Sequence, residues 1–279
     1  MLAELSGIYQ VRLVIPKLTR KFYNYGNVNS YTCMTIVLLT LASFIAWFLS
    51  SLAGGGSPFI IIPMVNFLLE APAVPPVVTT GMLFGNLQRT LQLWQDIDWE
   101  LTLWYLPGSV LGAILGAFAF TRTPLQWLQV LLGLFLVSSI FTFGFGNKEQ
   151  SFKVESWFFL PAGFVYAFLS GLIGSIGPIL NPFYLNYGLV KEKMIATKSA
   201  HVLVVHITKM ITYGALGALT LPYLGYGLVI GIAAAPANWI GMLVLQKMSD
   251  EQFRKFAIAL ITISGIFILW DQRNFFVFW

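Results

Sequence analysis

Five basic side chains lie inside stretches of this chain that are otherwise apolar enough to cross a bilayer: Arg89, Lys198, His201, His206 and Lys209. A charge at the bilayer centre costs roughly 2.5–3.5 kcal/mol on insertion scales, so such residues usually face a cavity or a partner. At 100° per residue, Lys198, His201, His206, Lys209 and Thr212 fall within about 140° of one helix face. Thr79, Asn86, Arg89 and Thr90 share a face of an earlier segment, with Gln88 pointing away. The acids (Glu70, Asp96, Asp98, Glu100, Glu149, Glu155, Glu192, Asp250, Glu251, Asp271) sit at ends and in loops. A cation site would need carboxylates or rings of carbonyls. A positive interior without buried acids favours an anion. Histidine titrates near neutral pH, which makes His201 and His206 the candidates to carry a proton beside it. The competing account is that Lys198 and Lys209 snorkel to headgroups and that the histidines only pack.

A second chemistry-bearing feature occurs twice. Phe48–Pro58 reads FLSSLAGGGSP and Phe168–Pro178 reads FLSGLIGSIGP, without gaps. Past a two-residue gap, Thr79 falls opposite Thr197 and Thr90 opposite Thr208. Gly54, Gly55, Gly56 and Ser57 form a helix stop followed by a start. Glycine ends a helix in left-handed dihedrals at little cost, serine caps the next one and proline suits its first position. In the second copy Gly174 and Ser175 make the stop, Gly177 takes the cap position and Pro178 starts the short helix. Free N–H groups at such a break carry partial positive charge and suit an anion. The plainer account is a packing kink between close helices. The candidate substrate site is therefore Gly54, Gly55, Gly56, Ser57, Thr79, Asn86, Arg89, Gly174, Ser175, Gly177, Thr197, Lys198 and Lys209, with no catalytic residue, cofactor or metal.

The elements that must position these residues are set by composition. Of 279 residues, 57% are hydrophobic and 10% charged, against about 25% charged in a soluble domain; mean hydropathy is +0.77. That excludes a soluble domain and disorder, and a lone cysteine, Cys33, excludes a disulfide scaffold. The pattern predicts an all-α polytopic membrane protein. Spans of about 20 apolar residues are expected at Thr32–Ala53, Pro75–Trp94, Leu101–Phe120, Pro124–Phe145, Trp157–Ile173, Met194–Gly214, Leu221–Leu245 and Phe256–Trp270. Pro58–Leu69 and Pro178–Val190 are too short to span comfortably. The division expected is a basic tail over residues 1–31, a first transmembrane repeat over 32–150 and a second over 151–279. Each repeat would hold four or five helices, a glycine-rich break and a short half-helix.

The net charge of +5 does not point to nucleic acid. Arg12, Lys17, Arg20 and Lys21 cluster before the first apolar run, where the positive-inside rule places cytoplasmic charge, and no signal-peptide pattern is present. Whether the repeats are parallel or inverted stays open, with loop charges tilting slightly to inversion.

At these residues the chain resembles the sulfite exporter TauE/SafE family, also called the toluene sulfonate uptake permeases. The resemblance covers about Cys33 to Trp270. It rests on the duplicated layout, the LAGGGS break at Leu52–Ser57 with Pro63 downstream, and the Val78-Thr79-Thr80 and Ala196-Thr197-Lys198-Ser199 stretches. It implies an α-helical protein of the cytoplasmic membrane that moves sulfur-containing or organic anions such as sulfite and sulfonates. The second break, Gly174-Ser175-Ile176-Gly177, departs from a glycine triplet, and Lys198 interrupts the Ala-Thr-Ser pattern usual in the family.

The function expected is a secondary membrane transporter of a small anion, with the lipid bilayer as surroundings and protons as a candidate coupling ion. An anion channel or a membrane subunit of a larger complex is the alternative. A membrane enzyme is disfavoured because one cysteine and two histidines supply no nucleophile–base pair. The anion, the direction and homo-oligomerisation are left open.

Overall fold

The computed structural model describes residues 28–69, 71–121, 153–177, 179–253, 255, 256, 259 and 266. The expected spans at Pro124–Phe145 and most of Phe256–Trp270, the basic tail and Pro178 lie outside them. The chain divides into two compact units, Met1–Thr35 and Ile36–Trp279. Of the first, only the opening turns of a helix are described; everything below concerns the second.

No strand occurs among the described residues. The helices are α1 (Val28–Leu52), α2 (Pro58–Leu69), α3 (Val74–Gln92), α4 (Trp99–Phe120), α5 (Phe159–Ile173), α6 (Asn181–Tyr187), α7 (Lys191–Ala215) and α8 (Leu221–Leu245). Four stretches among the described residues are long and apolar enough to cross a membrane: Thr32–Leu52, Trp99–Phe120, Ser156–Ile173 and Leu221–Leu245. Their outer faces carry exposed Leu103, Leu111, Ile232 and Trp239, as side chains facing lipid would. The protein is a multi-pass α-helical membrane protein.

Helices α3 and α7 are long enough to span but carry the polar residues. They lie inside, packed on each other, with α8 also against α3 and α4 also against α7. Their directions follow from their contacts. Thr80 meets Met210 at one end of the α3–α7 crossing. Asn86 and Arg89 share a cavity with Lys198 and Val202 at the other. The two polar helices therefore run antiparallel.

Glycines set the other close approaches. On α4, a Cβ at Gly108, Gly112 or Gly116 would stand 2.0–2.2 Å from the carbonyl oxygens of Leu160, Phe164 and Phe168 on α5. The register rises together on both helices, so α4 and α5 are parallel. Small residues let backbones approach where lipid supplies no hydrophobic drive.

The two expected short helices differ in length. Pro58–Leu69 forms as anticipated, with Pro63 inside it. The helix expected to start at Pro178 after a Gly177 cap starts at Asn181, with Leu180 in the cap position, and ends at Tyr187, where Gly188 turns left-handed at φ 105°. Pro182 sits in its first turn, where a missing N–H costs nothing.

Candidate functional site

The first break begins where α1 runs out. Gly54, Gly55 and Gly56 take φ of 64°, 139° and 117°, a run of dihedrals that residues with a Cβ rarely adopt. The N–H of Gly55 returns to the Ser50 carbonyl at 2.8 Å. Ser57 was expected to cap α2 with its hydroxyl. Instead its carbonyl receives the N–H groups of Ile60 and Ile61, and its hydroxyl points at the Met82 sulfur, 3.6 Å away. At the second break Gly174 and Gly177 have φ of 100° and 59°. Phe59, at the start of α2, lies 3.0 Å from where a Cβ on Gly177 would be, so the two breaks meet. Among the described residues, nothing accepts from the backbone N–H of Gly56, Ser57, Ser175, Ile176 or Gly177.

Carbonyls freed at the breaks are taken by cations and amides. Asn181 Nδ2 donates to the Ala53 carbonyl at 3.3 Å. Lys198 Nζ donates to the Gly54 carbonyl at 2.7 Å and to Asn181 Oδ1 at 2.6 Å. Arg89 holds the last turns of α1: Nη2 donates to the Trp47 carbonyl at 3.0 Å and the Ser51 hydroxyl at 2.7 Å, and Nη1 to the Ser50 hydroxyl at 3.2 Å. Its Nε donates to Asn238 Oδ1 on α8 at 2.7 Å, and its guanidinium stacks 4.7 Å above the Trp47 ring. Lys209 does the same for α5, donating to the Ser170 carbonyl (3.2 Å), the Ser170 hydroxyl (2.9 Å) and the Gly174 carbonyl. Tyr213 donates to the Gly171 carbonyl. Cations suit helix C-termini, where the unpaired carbonyls concentrate negative partial charge.

A donor count separates the three cations. An ammonium has three N–H groups and a guanidinium five. Lys209 spends all three on α5. Lys198 spends two, and Arg89 four. Among the described residues Lys198 and Arg89 each keep one donor without an acceptor, and both border a cavity of about 30 Å³. One water needs about 10–15 Å³, so the space suits two or three waters. Gly54, Gly55, Gly56, Ser57, Asn86, Ser175 and Gly177 also line it, as do Trp47, Tyr166 and Ser199 and the apolar Met82, Ile195 and Val202. Among the described residues no acidic side chain lines it. Among the described residues no carboxylate is buried, and no ion pair reaches Arg89, Lys198 or Lys209.

The remaining sequence candidates stand away from this cavity. Thr79 donates to the Gly174 carbonyl at 3.5 Å. Thr197 accepts from the Asp98 N–H at 2.9 Å and so ties α7 to the start of α4. His201 is fully occupied: Nδ1 pairs with the Tyr184 hydroxyl at 2.8 Å, Nε2 with the Thr102 hydroxyl at 3.1 Å, and the ring stacks on Tyr105 at 4.1 Å. His206 is buried and, among the described residues, neither ring nitrogen has a partner. Three residues emerge that the sequence reasoning missed: Trp47, Asn181 and Asn238. Asn181 and Asn238 could have been flagged as amides within apolar runs. Trp47 carried no signal, because an aromatic in a span is ordinary.

An all-helical membrane protein with two glycine breaks meeting between antiparallel polar helices has the make-up of a secondary transporter. The chain matches the family described as Sulfite exporter TauE/SafE over residues 39–268 and belongs to it. It is similar to the probable membrane transporter protein MJ0441 of Methanocaldococcus jannaschii, 22% identical over 85% of this chain and 96% of that one. It is also similar to the probable membrane transporter protein ORF9 of a Sinorhizobium species, 26% identical over 83% of this chain and 89% of that one. No solved structure matches it. The protein is thus a membrane transporter of this family and not an enzyme.

Proposed function

We propose that the transporter carries a small anion of the sulfite or sulfonate type, bound in the cavity between α3, α7 and the two breaks. The observation that supports this most is the pair Arg89 and Lys198. Both border one space, and among the described residues each keeps a free N–H and no carboxylate lines that space. Burying charge without a counter-charge is costly, and an anionic substrate offsets that cost when it enters. Backbone N–H groups of Gly56, Ser57, Ser175 and Gly177 add donors without adding bulk.

The layout also supports an inverted duplication. Each break follows an apolar helix and precedes a short helix, a polar helix and a further apolar helix. The two polar helices, α3 and α7, run in opposite directions. Alternating access in such proteins is a rocking of one repeat against the other around a fixed site. Protons are the coupling ion we favour, with His206 as their carrier.

The test is uptake by proteoliposomes against a panel of sulfite, thiosulfate, sulfonates and carboxylates. Accumulation of a sulfur oxyanion above its outside concentration, driven by a proton gradient, is the expected result. Equilibration without accumulation would mean a channel, and uptake of carboxylates or cations alone would discard the substrate class.

A further inference from the structure

Asn181 sits at the meeting point of three elements and belongs to none of the motifs that mark the site in sequence. It is fully buried at the first residue of α6. Its amide is used at both ends. Nδ2 reaches the Ala53 carbonyl at the first break, while Oδ1 receives Lys198 Nζ at 2.6 Å. The same ammonium reaches the Gly54 carbonyl at 2.7 Å. The two acceptors come from opposite halves of the chain, and between them they fix two of the three N–H directions on Nζ.

A lysine chain carries many rotamers, and its ammonium turns freely unless acceptors hold it. With two directions fixed, the third follows from the tetrahedral geometry of nitrogen. That third N–H is the one without an acceptor, on a residue that lines the cavity. An aspartate at this position would hold the lysine equally well but would cancel its charge. The amide supplies an acceptor while leaving the ammonium's charge available to a ligand.

We propose that Asn181 is a positioning residue for Lys198: it holds the ammonium at the first break, oriented toward an anion in the cavity, without neutralising it. This rests on the anion reading given above. The experiment compares wild type, Asn181→Ala and Asn181→Asp as purified, monodisperse protein in proteoliposomes, with radiolabelled sulfite as the probe and KM and maximal rate measured separately.

The expected order of KM is wild type lowest, Asn181→Ala about fivefold higher, and Asn181→Asp at least tenfold above Asn181→Ala. Both replacements remove the donor to Ala53. A residue that only clips α6 to the break would therefore give the two the same KM, and equal values overturn the proposal. Should Asn181→Asp not reach the membrane, Asn181→Ala decides alone, and a KM within twofold of wild type overturns it. Wild-type liposomes that bind and move no sulfite would instead remove the anion reading itself, and this proposal with it.

Discussion

Lys198 Nζ lies 2.7 Å from the carbonyl oxygen of Gly54, joining the polar helix of the second half to the break of the first. Thr79, on the polar helix of the first half, reaches back to the carbonyl of Gly174 at 3.5 Å. Each break is thus held by the helix of the opposite half, and the first glycine of each motif is the point of attachment. The first attachment ends in a charge that also borders the cavity; the second ends in a hydroxyl that does not. Arg89 makes a second charged contact between the halves, to Asn238 on α8 at 2.7 Å, and it borders the same cavity as Lys198.

Lys198→Gln and Lys209→Gln are expected to fail in different ways. Lys198 has a donor to spare at the cavity, so Lys198→Gln should raise the KM for sulfite at least tenfold while the protein still inserts. Lys209 has none to spare. Its loss strips the Ser170 hydroxyl and the carbonyls of Ser170 and Gly174 of a charged donor, at about 1.5–3 kcal/mol for such a bond, and leaves the two carbonyls with the Gly174 N–H and the Thr79 hydroxyl. Lys209→Gln should lower the thermal unfolding midpoint in detergent by several degrees with little change in KM. Equal KM effects from both would refute the donor count.

Arg89→Lys tests geometry at constant charge. The guanidinium reaches Trp47, Ser50, Ser51 and Asn238 at once, which a lysine with three donors on a single nitrogen cannot do. Transport should fall roughly tenfold or more, with a lowered unfolding midpoint, as α1 loses its hold on α3 and α8. Wild-type kinetics and stability in Arg89→Lys would show that charge alone suffices there.

The large features of this protein were legible in the sequence because each has one physical cause. Apolar length predicts spans, and Thr32–Leu52, Trp99–Phe120 and Leu221–Leu245 follow it closely. Glycine with a following proline predicts a break, and Gly54–Gly56 obey it. The length of α6 was not legible, since an apolar run does not say where Gly188 will turn. Nor could wheel positions rank the cations. Lys198 and Lys209 share a face, yet only the acceptors around each, set by distant residues such as Asn181 and Ser170, give one a free donor and the other none.

Gly56 tests the break. Its φ of 117° is strained for any L residue, at about 1–3 kcal/mol, and the residue lines the cavity. Gly56→Val should abolish sulfite uptake, because a β-branched side chain resists this dihedral and fills the approach to the cavity. The check is transport per inserted molecule, quantified by surface labelling. Retention of more than half the wild-type rate would reduce this break to a packing kink.

The last prediction concerns the two buried histidines, which their surroundings now separate. His201 has both nitrogens engaged, by Tyr184 and Thr102, and its ring stacked on Tyr105; a proton gained there would have to break one of those bonds. His206 has neither nitrogen engaged, a buried deficit that costs about 1–3 kcal/mol for each unmet group. It stands one turn before Lys209 on α7. His206 does not line the cavity, so coupling there would require a bound anion to act along α7 from Lys198, about two turns away. The measurement is sulfite uptake from about pH 5.5 to 8, spanning the range in which histidine changes charge, with a pH-sensitive dye inside the liposomes. His206→Gln should abolish sulfite-dependent proton movement and flatten the pH profile of accumulation. His201→Gln should lower the unfolding midpoint and leave the proton-to-sulfite ratio unchanged. If His206→Gln keeps its full proton flux, the histidine is a packing residue and the proton travels by another route.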